Sequence, residues 1–181
     1  MTDDVILVDT KDNALGTMQK MDAHVKGELH RAFSVFIFNT RGELLLQKRA
    51  LDKYHSAGMW TNTCCSHPRP GEDTLDAARR RLNEEMSLKC ELTHQFSFLY
   101  TADMPEGISE HEFDHVYFGV SDALPVINPH EVADFRYITM SDLANELELQ
   151  PDKYTAWLRI CFDRVVNSYN KYFEDYERLD D

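Results

Sequence analysis

Apolar and polar positions alternate in short bursts over the first two-thirds of the chain, then give way to helical spacing, most clearly midway and again near the end. Residues 5–8 form a short apolar run. Stretches 31–38 and 43–48 flank Asn39-Thr40-Arg41-Gly42, a turn-forming tetrapeptide, and together predict a β-hairpin. Phe96, Phe98 and Tyr100 alternate, as do Val116, Phe118 and Val120, predicting two further strands, with another over 134–138. Midway, Leu75, Ala78, Leu82 and Met86 recur at helical spacing after Pro70-Gly71-Glu72-Asp73, a turn and cap, while Arg79, Arg80 and Glu84 fall on the opposite face. Ser141-Asp142-Leu143 opens a short helix. Pro151 leads into a longer one with Trp157, Cys161, Val165 and Tyr169 on one side. The polar loop 50–58 and the acidic end from Glu174 onward, expected to fray, lie outside these elements. The order predicts an α/β (α+β) chain, a mixed β-sheet flanked by helices. With no repeat, linker or low-complexity tract, 1–181 reads as one domain with its core at about 28–166 and an acidic tail at 174–181.

Composition narrows the function classes. At 181 residues and 43% hydrophobic positions the chain can bury one sizeable core. A net charge of −13 argues against nucleic acid or an anionic membrane as partner, since both demand a basic surface. A small phosphorylated ligand would need a local basic pocket or metal ions. The longest apolar run, 35–38, is far short of the ~20 residues that span a bilayer. The start, Met1-Thr2-Asp3-Asp4, is acidic where a secretory signal is basic. A soluble, cytoplasmic protein is expected. Cys64, Cys65, Cys90 and Cys161 form no CxxC pair and read as free thiols, with one of the adjacent pair Cys64-Cys65 a candidate reactive group. Nothing in the sequence fixes the oligomeric state.

The chemistry concentrates in three places. Glu72 precedes Arg80 by eight residues, and Arg81-Leu82-Asn83-Glu84-Glu85-Met86-Ser87-Leu88 follows. This resembles the Nudix box, a loop–helix–loop whose carboxylates hold divalent ions against a diphosphate. Ser66 and Ser87 stand where that box carries glycines, and Arg81 stands where hydrolases place a metal-binding glutamate. On charge spacing alone the helix also reads as an exposed face laced with ion pairs. His24, His30 and His67 lie outside it. Strand alternation puts Glu110 and Glu112 on one face with His111 on the other. Three imidazoles with one or two carboxylates suit Mn²⁺, Zn²⁺ or Fe²⁺ better than Mg²⁺. His55, His94 and His115 read as ordinary surface or core residues.

Trp60-Thr61-Asn62-Thr63-Cys64-Cys65-Ser66-His67-Pro68, Tyr100-Thr101-Ala102 followed by Glu110-His111-Glu112, and the late Trp157 together resemble the Nudix-fold, metal-dependent (type 1) isopentenyl diphosphate isomerases over nearly the whole chain. The resemblance implies a Nudix-like domain with an N-terminal extension that interconverts isopentenyl and dimethylallyl diphosphates. It also implies roles. Cys65 would be the acid/base thiol, with Glu112 opposite, Tyr100 assisting and Trp157 steadying a carbocation. His24, His30, His67, Glu110 and Glu112 would hold a first metal, Mn²⁺ or Zn²⁺. Glu85, with the backbone carbonyl of Cys65, would hold Mg²⁺ on the substrate. Lys20, Arg49, Lys53 and Arg81 would contact the diphosphate. Two other readings stand beside it: a Nudix pyrophosphohydrolase of nucleoside diphosphate derivatives, and a non-catalytic module with a structural metal.

Overall fold

The protein is described by a computed structural model covering residues 3–179. Its elements are β1 (Asp4–Val8), β2 (Ala14–Gln19), α1 (Lys20–Lys26), β3 (His30–Phe38), β4 (Leu44–Arg49), β5 (Trp60–Thr61), β6 (Cys64–Ser66), α2 (Thr74–Met86), β7 (Thr93–Asp103), β8 (Ser109–Val120), β9 (Val132–Ile138), α3 (Met140–Leu149) and α4 (Ala156–Leu179), with a 3₁₀ turn at Pro151–Lys153. All these strands join one mixed sheet.

β3 is apolar on both faces because both are covered. Phe36 and Phe38 join Phe98, Val116, Phe118 and the apolar stripe of α4 on one side. Phe33, Val35 and Ile37 meet Ala77, Ala78, Leu82 and Met86 of α2 on the other. One edge of β3 runs parallel to β8 from His30↔Glu112 to Phe38↔Val120. Its other edge meets β1, β6 and β4 in turn.

The expected hairpin is present but splays at once. β3 and β4 share the single pair Phe38↔Leu44, after which β4 turns away to β9 and β5. Segment 60–66 fills the gap, and its side chains replace the missing ladder. Thr63 Oγ1 accepts from Ile37 N at 2.9 Å and donates to Leu45 O at 2.6 Å, while Asn62 Nδ2 donates to Val35 O at 3.0 Å. A buried amide or carbonyl left without a partner costs about 1–3 kcal/mol. Thr63→Val, equal in shape but without the hydroxyl, is therefore expected to lower unfolding stability by about 2–4 kcal/mol, measured by urea titration.

Asp73 caps α2, accepting from Leu75 N and Asp76 N at 2.9 and 3.3 Å. Ser87, in place of the box glycine, ends the helix at φ 54, a left-handed conformation that glycine adopts more cheaply. The C-terminal end departs from expectation. α4 does not fray at Glu174 but continues to Leu179, because Tyr172 and Phe173 anchor it: Phe38–Phe173 and Phe118–Tyr172 ring centroids lie 5.5 and 5.6 Å apart. Met1, Thr2, Asp180 and Asp181 lie outside the described residues. Among the described residues no helix is long and apolar enough to cross a membrane.

Candidate active site

The parallel register of β3 and β8 sets His30 beside Glu112, and the antiparallel register of β7 and β8 sets Tyr100 beside the same glutamate. Alternation along β8 sends Glu110, Glu112 and Asp114 into the interior, where all three are buried. His111 faces the other way and pairs through Nδ1 with Gly27 O at 3.0 Å. α1 supplies His24, and the residue after β6 supplies His67. Tyr100 Oη lies 2.7 Å from Glu110 Oε2 and 2.6 Å from Glu112 Oε2, so one phenol links the two carboxyls.

Backbone carbonyls fix two of the imidazoles. His24 Nδ1 lies 2.7 Å from Lys20 O and His30 Nδ1 lies 2.8 Å from Glu28 O. A carbonyl only accepts, so each Nδ1 carries a proton, and in the neutral ring each Nε2 turns a lone pair inward. Both Nε2 atoms are buried without a hydrogen-bond partner. His67 Nε2 lies 2.9 Å from Glu112 Oε1 and His30 Nε2 lies 3.4 Å from it. Burial drives His67 down to about 4. Burial also opposes charge on His30 and Glu112, but their mutual attraction outweighs it, raising the histidine and holding the carboxyl well below its usual range. Inward lone pairs facing carboxylates form a set that a divalent cation satisfies. His24, His30, His67 and Glu112 place their donor atoms within 4.8 Å of one another, as do His24, His55 and Glu110. The donors fit a first-row transition ion or zinc better than magnesium.

The thiol is held as firmly. Asn62 Nδ2 donates to Val35 O and to Cys64 O, at 3.0 and 3.1 Å, which turns Asn62 Oδ1 toward Cys65. Cys65 Sγ lies 3.0 Å from that oxygen and donates its proton there, while Trp157 Nε1 donates to the sulfur at 3.1 Å. Burial pushes the Cys65 thiol far up, so it rests protonated. Cys64, its side chain on the opposite face, is buried in the layer under α2.

Cys65, Tyr100, Glu112 and Trp157 line one pocket, partly open to solvent, whose walls also carry Lys20, Arg49, Lys53, Arg81 and Glu85. His24 and His30 lie outside that lining. The basic residues are paired with acids: Arg81 with Glu85 at 2.6 Å and Glu131 at 3.2 Å, Lys53 with Glu131, and Lys20 with Asp3 at 3.7 Å. The Arg49 guanidinium lies 5.3 Å from the Trp157 ring centroid. Glu85 Oε2 also accepts from Gln47 Nε2 at 2.9 Å.

Sequence reasoning passed over several members of this site. Glu131 and Gln47 carry no motif, and Asn62, though inside the segment 60–68 that carries the resemblance, takes no role from it. Asp114, buried and accepting from Ser34 Oγ at 2.8 Å, is one alternation beyond Glu112 and was within reach of strand periodicity. His55, read as an ordinary histidine, is instead buried with Nε2 3.0 Å from Glu110 Oε1.

Known proteins resemble this chain in both sequence and fold. Residues 28–158 match the NUDIX domain. A curated protein of Pectobacterium atrosepticum named isopentenyl-diphosphate Delta-isomerase is 49% identical over 97% of this chain and 98% of its own. One of Aromatoleum aromaticum, isopentenyl-diphosphate Delta-isomerase 2, is 52% identical over 92% of this chain and 88% of its own. Among solved structures, a Deinococcus radiodurans protein superposes with a TM-score of 0.75 at 21% identity, covering 89% of this chain and 98% of that one. A MutT protein from Methanosarcina mazei gives a TM-score of 0.64 at 16% identity, covering 80% and 94%; at such identities the likeness speaks for the fold alone. With a domain match across most of its length and relatives near half identity end to end, the chain belongs to the Nudix family and, within it, to the isopentenyl-diphosphate Delta-isomerases.

Proposed function

We propose that the chain interconverts isopentenyl diphosphate and dimethylallyl diphosphate by proton addition and removal through a tertiary carbocation. The observation that carries the reading is one cavity lined by a protonated thiol, a tyrosine-linked carboxylate pair, an indole and a cluster of basic side chains.

An unactivated alkene is a weak base, so its protonation needs an acid held against the terminal carbon and a cavity that excludes water. Cys65 acts on one face of the substrate and Glu112, hydrogen-bonded by Tyr100, on the other. One adds a proton to the terminal methylene, and the other removes a proton from C2, the carbon next to the oxygen-bearing one, so the double bond moves to between C2 and C3. Each group serves as acid in one direction and base in the reverse. Trp157 faces the cationic centre between them. Its ring lies against the Arg49 guanidinium, so it sits where a positive charge is accepted, and a desolvated contact of this kind contributes about 2 kcal/mol.

Lys20, Arg49, Lys53 and Arg81 hold the diphosphate, exchanging their carboxylate partners for phosphate oxygens. Lys20 is buried enough for desolvation to lower its pKa, so a phosphate restores the charge compensation that burial removes. When bound, divalent ions neutralise diphosphate charge and fix the site's field: Mn²⁺ or Zn²⁺ on His24, His30, His67, Glu110 and Glu112, and Mg²⁺ on Glu85 with the Cys65 carbonyl. Arg81 occupies the position of a hydrolase's metal-binding glutamate, which favours isomerisation over hydrolysis. Four free cysteines support a reducing, cytoplasmic setting.

The test is incubation with isopentenyl diphosphate, Mg²⁺ and Mn²⁺ in D₂O, followed by proton NMR. Dimethylallyl diphosphate carrying solvent deuterium is expected. Unchanged substrate in folded, metal-replete protein, together with hydrolysis of nucleoside diphosphate derivatives, would replace this reading with the hydrolase one.

A further inference from the structure

We propose that His55 is a direct ligand of the His/Glu metal centre and completes it as a six-donor set of four imidazoles and two carboxylates.

The argument begins from a histidine out of place. His55 sits in a polar loop yet is buried, enclosed by the rings of Tyr54, His24 and Trp157 at centroid distances of 4.5, 6.0 and 6.0 Å. Its Nδ1 lies 3.1 Å from Ser56 Oγ, and the Ser56 hydroxyl donates onward to Met104 Sδ at 3.8 Å. With its own proton engaged, Ser56 oxygen accepts from Nδ1–H, which leaves Nε2 as a lone pair. That lone pair faces Glu110 Oε1 at 3.0 Å. Two acceptors at this separation repel unless a proton or a cation lies between them. His67 Nε2 and Glu112 Oε1 lie at a similar 2.9 Å.

Two links make these pairs halves of one centre. His24 belongs to both donor groups, the one with His30, His67 and Glu112 and the one with His55 and Glu110. Its Nε2 is buried without a hydrogen-bond partner. Tyr100 Oη joins the carboxyls of the two groups. At one donor atom per residue, the two groups sharing His24 offer six donors, and drawing all six onto one ion would favour Mn²⁺, Fe²⁺ or Co²⁺ over Mg²⁺. A saturated ion has no open position for water or substrate oxygen. Its task is to lock Glu110, Tyr100 and Glu112 in place beside the alkene, while the diphosphate is left to the basic residues and Glu85.

The proposal rests on the metal-binding reading of this centre, and the experiment separates the two. Full-length protein is stripped with a chelator, titrated with Mn²⁺ while free ion is counted by electron paramagnetic resonance, and separately loaded with Co²⁺ for absorption spectroscopy. The wild type is expected to bind one tight ion per chain at this centre and to show the weak ligand-field bands of six-coordinate Co²⁺. His55→Ala is expected to bind about 100-fold more weakly, at the upper end of what loss of a supporting residue costs. Its Co²⁺ bands should intensify as a position opens. His55→Gln can donate a hydrogen bond to Glu110 but is a poor ligand, and is expected to behave as the alanine variant does; circular dichroism checks the fold of both. Wild-type affinity and spectrum in His55→Ala, or their restoration in His55→Gln, would reduce His55 to a support for Glu110 and overturn the proposal. If the wild type binds no ion, the metal reading itself fails and His55 with it.

Discussion

Cys65→Ala is expected to fold and bind metal as the wild type does while losing about 10³-fold or more in kcat. The magnitude follows from the ~10²–10⁴-fold that a positioned acid/base group contributes, taken at the high end because none of the side chains hydrogen-bonded to the sulfur can replace it. Asn62 and Trp157 touch the thiol but do not titrate near neutral pH, and Ser34 Oγ, 3.5 Å away, is far too weak an acid. The alanine opens only a small gap, since the local backbone is held by Asn62 and Thr63 and not by the sulfur. KM for isopentenyl diphosphate should therefore stay within a few-fold. Steady-state assays with a Mn²⁺ titration check it; turnover within tenfold of wild type would remove the thiol from the chemistry.

Glu112→Gln is expected to fail on both counts at once. Its Oε2 is bonded by Tyr100 and its Oε1 lies between His67 and His30, so one carboxylate serves the proton transfer and the metal. The amide keeps the shape but cannot accept a proton, and a turnover loss of about 10⁴-fold is expected, together with metal binding weakened about 10- to 100-fold. Saturating Mn²⁺ should then restore occupancy without restoring turnover. Recovery of activity in excess Mn²⁺ would show that Glu112 acts only through the ion. Set beside Cys65→Ala, which leaves metal binding alone, the pair separates the two functions of the site.

How far these residues could be read from sequence depended on whether their environment is local. The helix at 74–86 announced itself because its cap, its apolar stripe and its exposed charges all lie within one stretch of chain. Strand alternation likewise put Glu110 and Glu112 on one face, which the structure turns inward. β2 and α1 left no such trace: β2 is mostly exposed and lacks a buried face, and α1 is one of the shortest helices, ended by Gly27 after seven residues. The splay of β3 from β4 was also hidden, because a hairpin motif reports the turn and not how far pairing continues. Cys65, Tyr100 and Trp157 were legible only jointly, through family resemblance; alone, each reads as a core residue. The enclosure of His55 left no sequence signal because His24 and Trp157, which with Tyr54 surround it, lie far from it in sequence, and no periodic pattern marks a loop residue as enclosed.

The wedge of 60–66 in the opened hairpin also bears on how the protein is made. Trp157 lies 92 residues from the thiol it touches, and Ser34 lies 80 residues from Asp114, with β3 and β8 joined in parallel between them. Such pairings close late and slowly, because a long loop must be ordered before any contact repays it. During synthesis β3, the wedge and α2 emerge well before β8 and α4. Until those arrive the thiol has no indole and His30 has no carboxylate, so a half-made chain has neither a finished metal centre nor a carbocation site. Competence comes in one step at the end of folding, and a truncated chain is silent rather than miscatalytic.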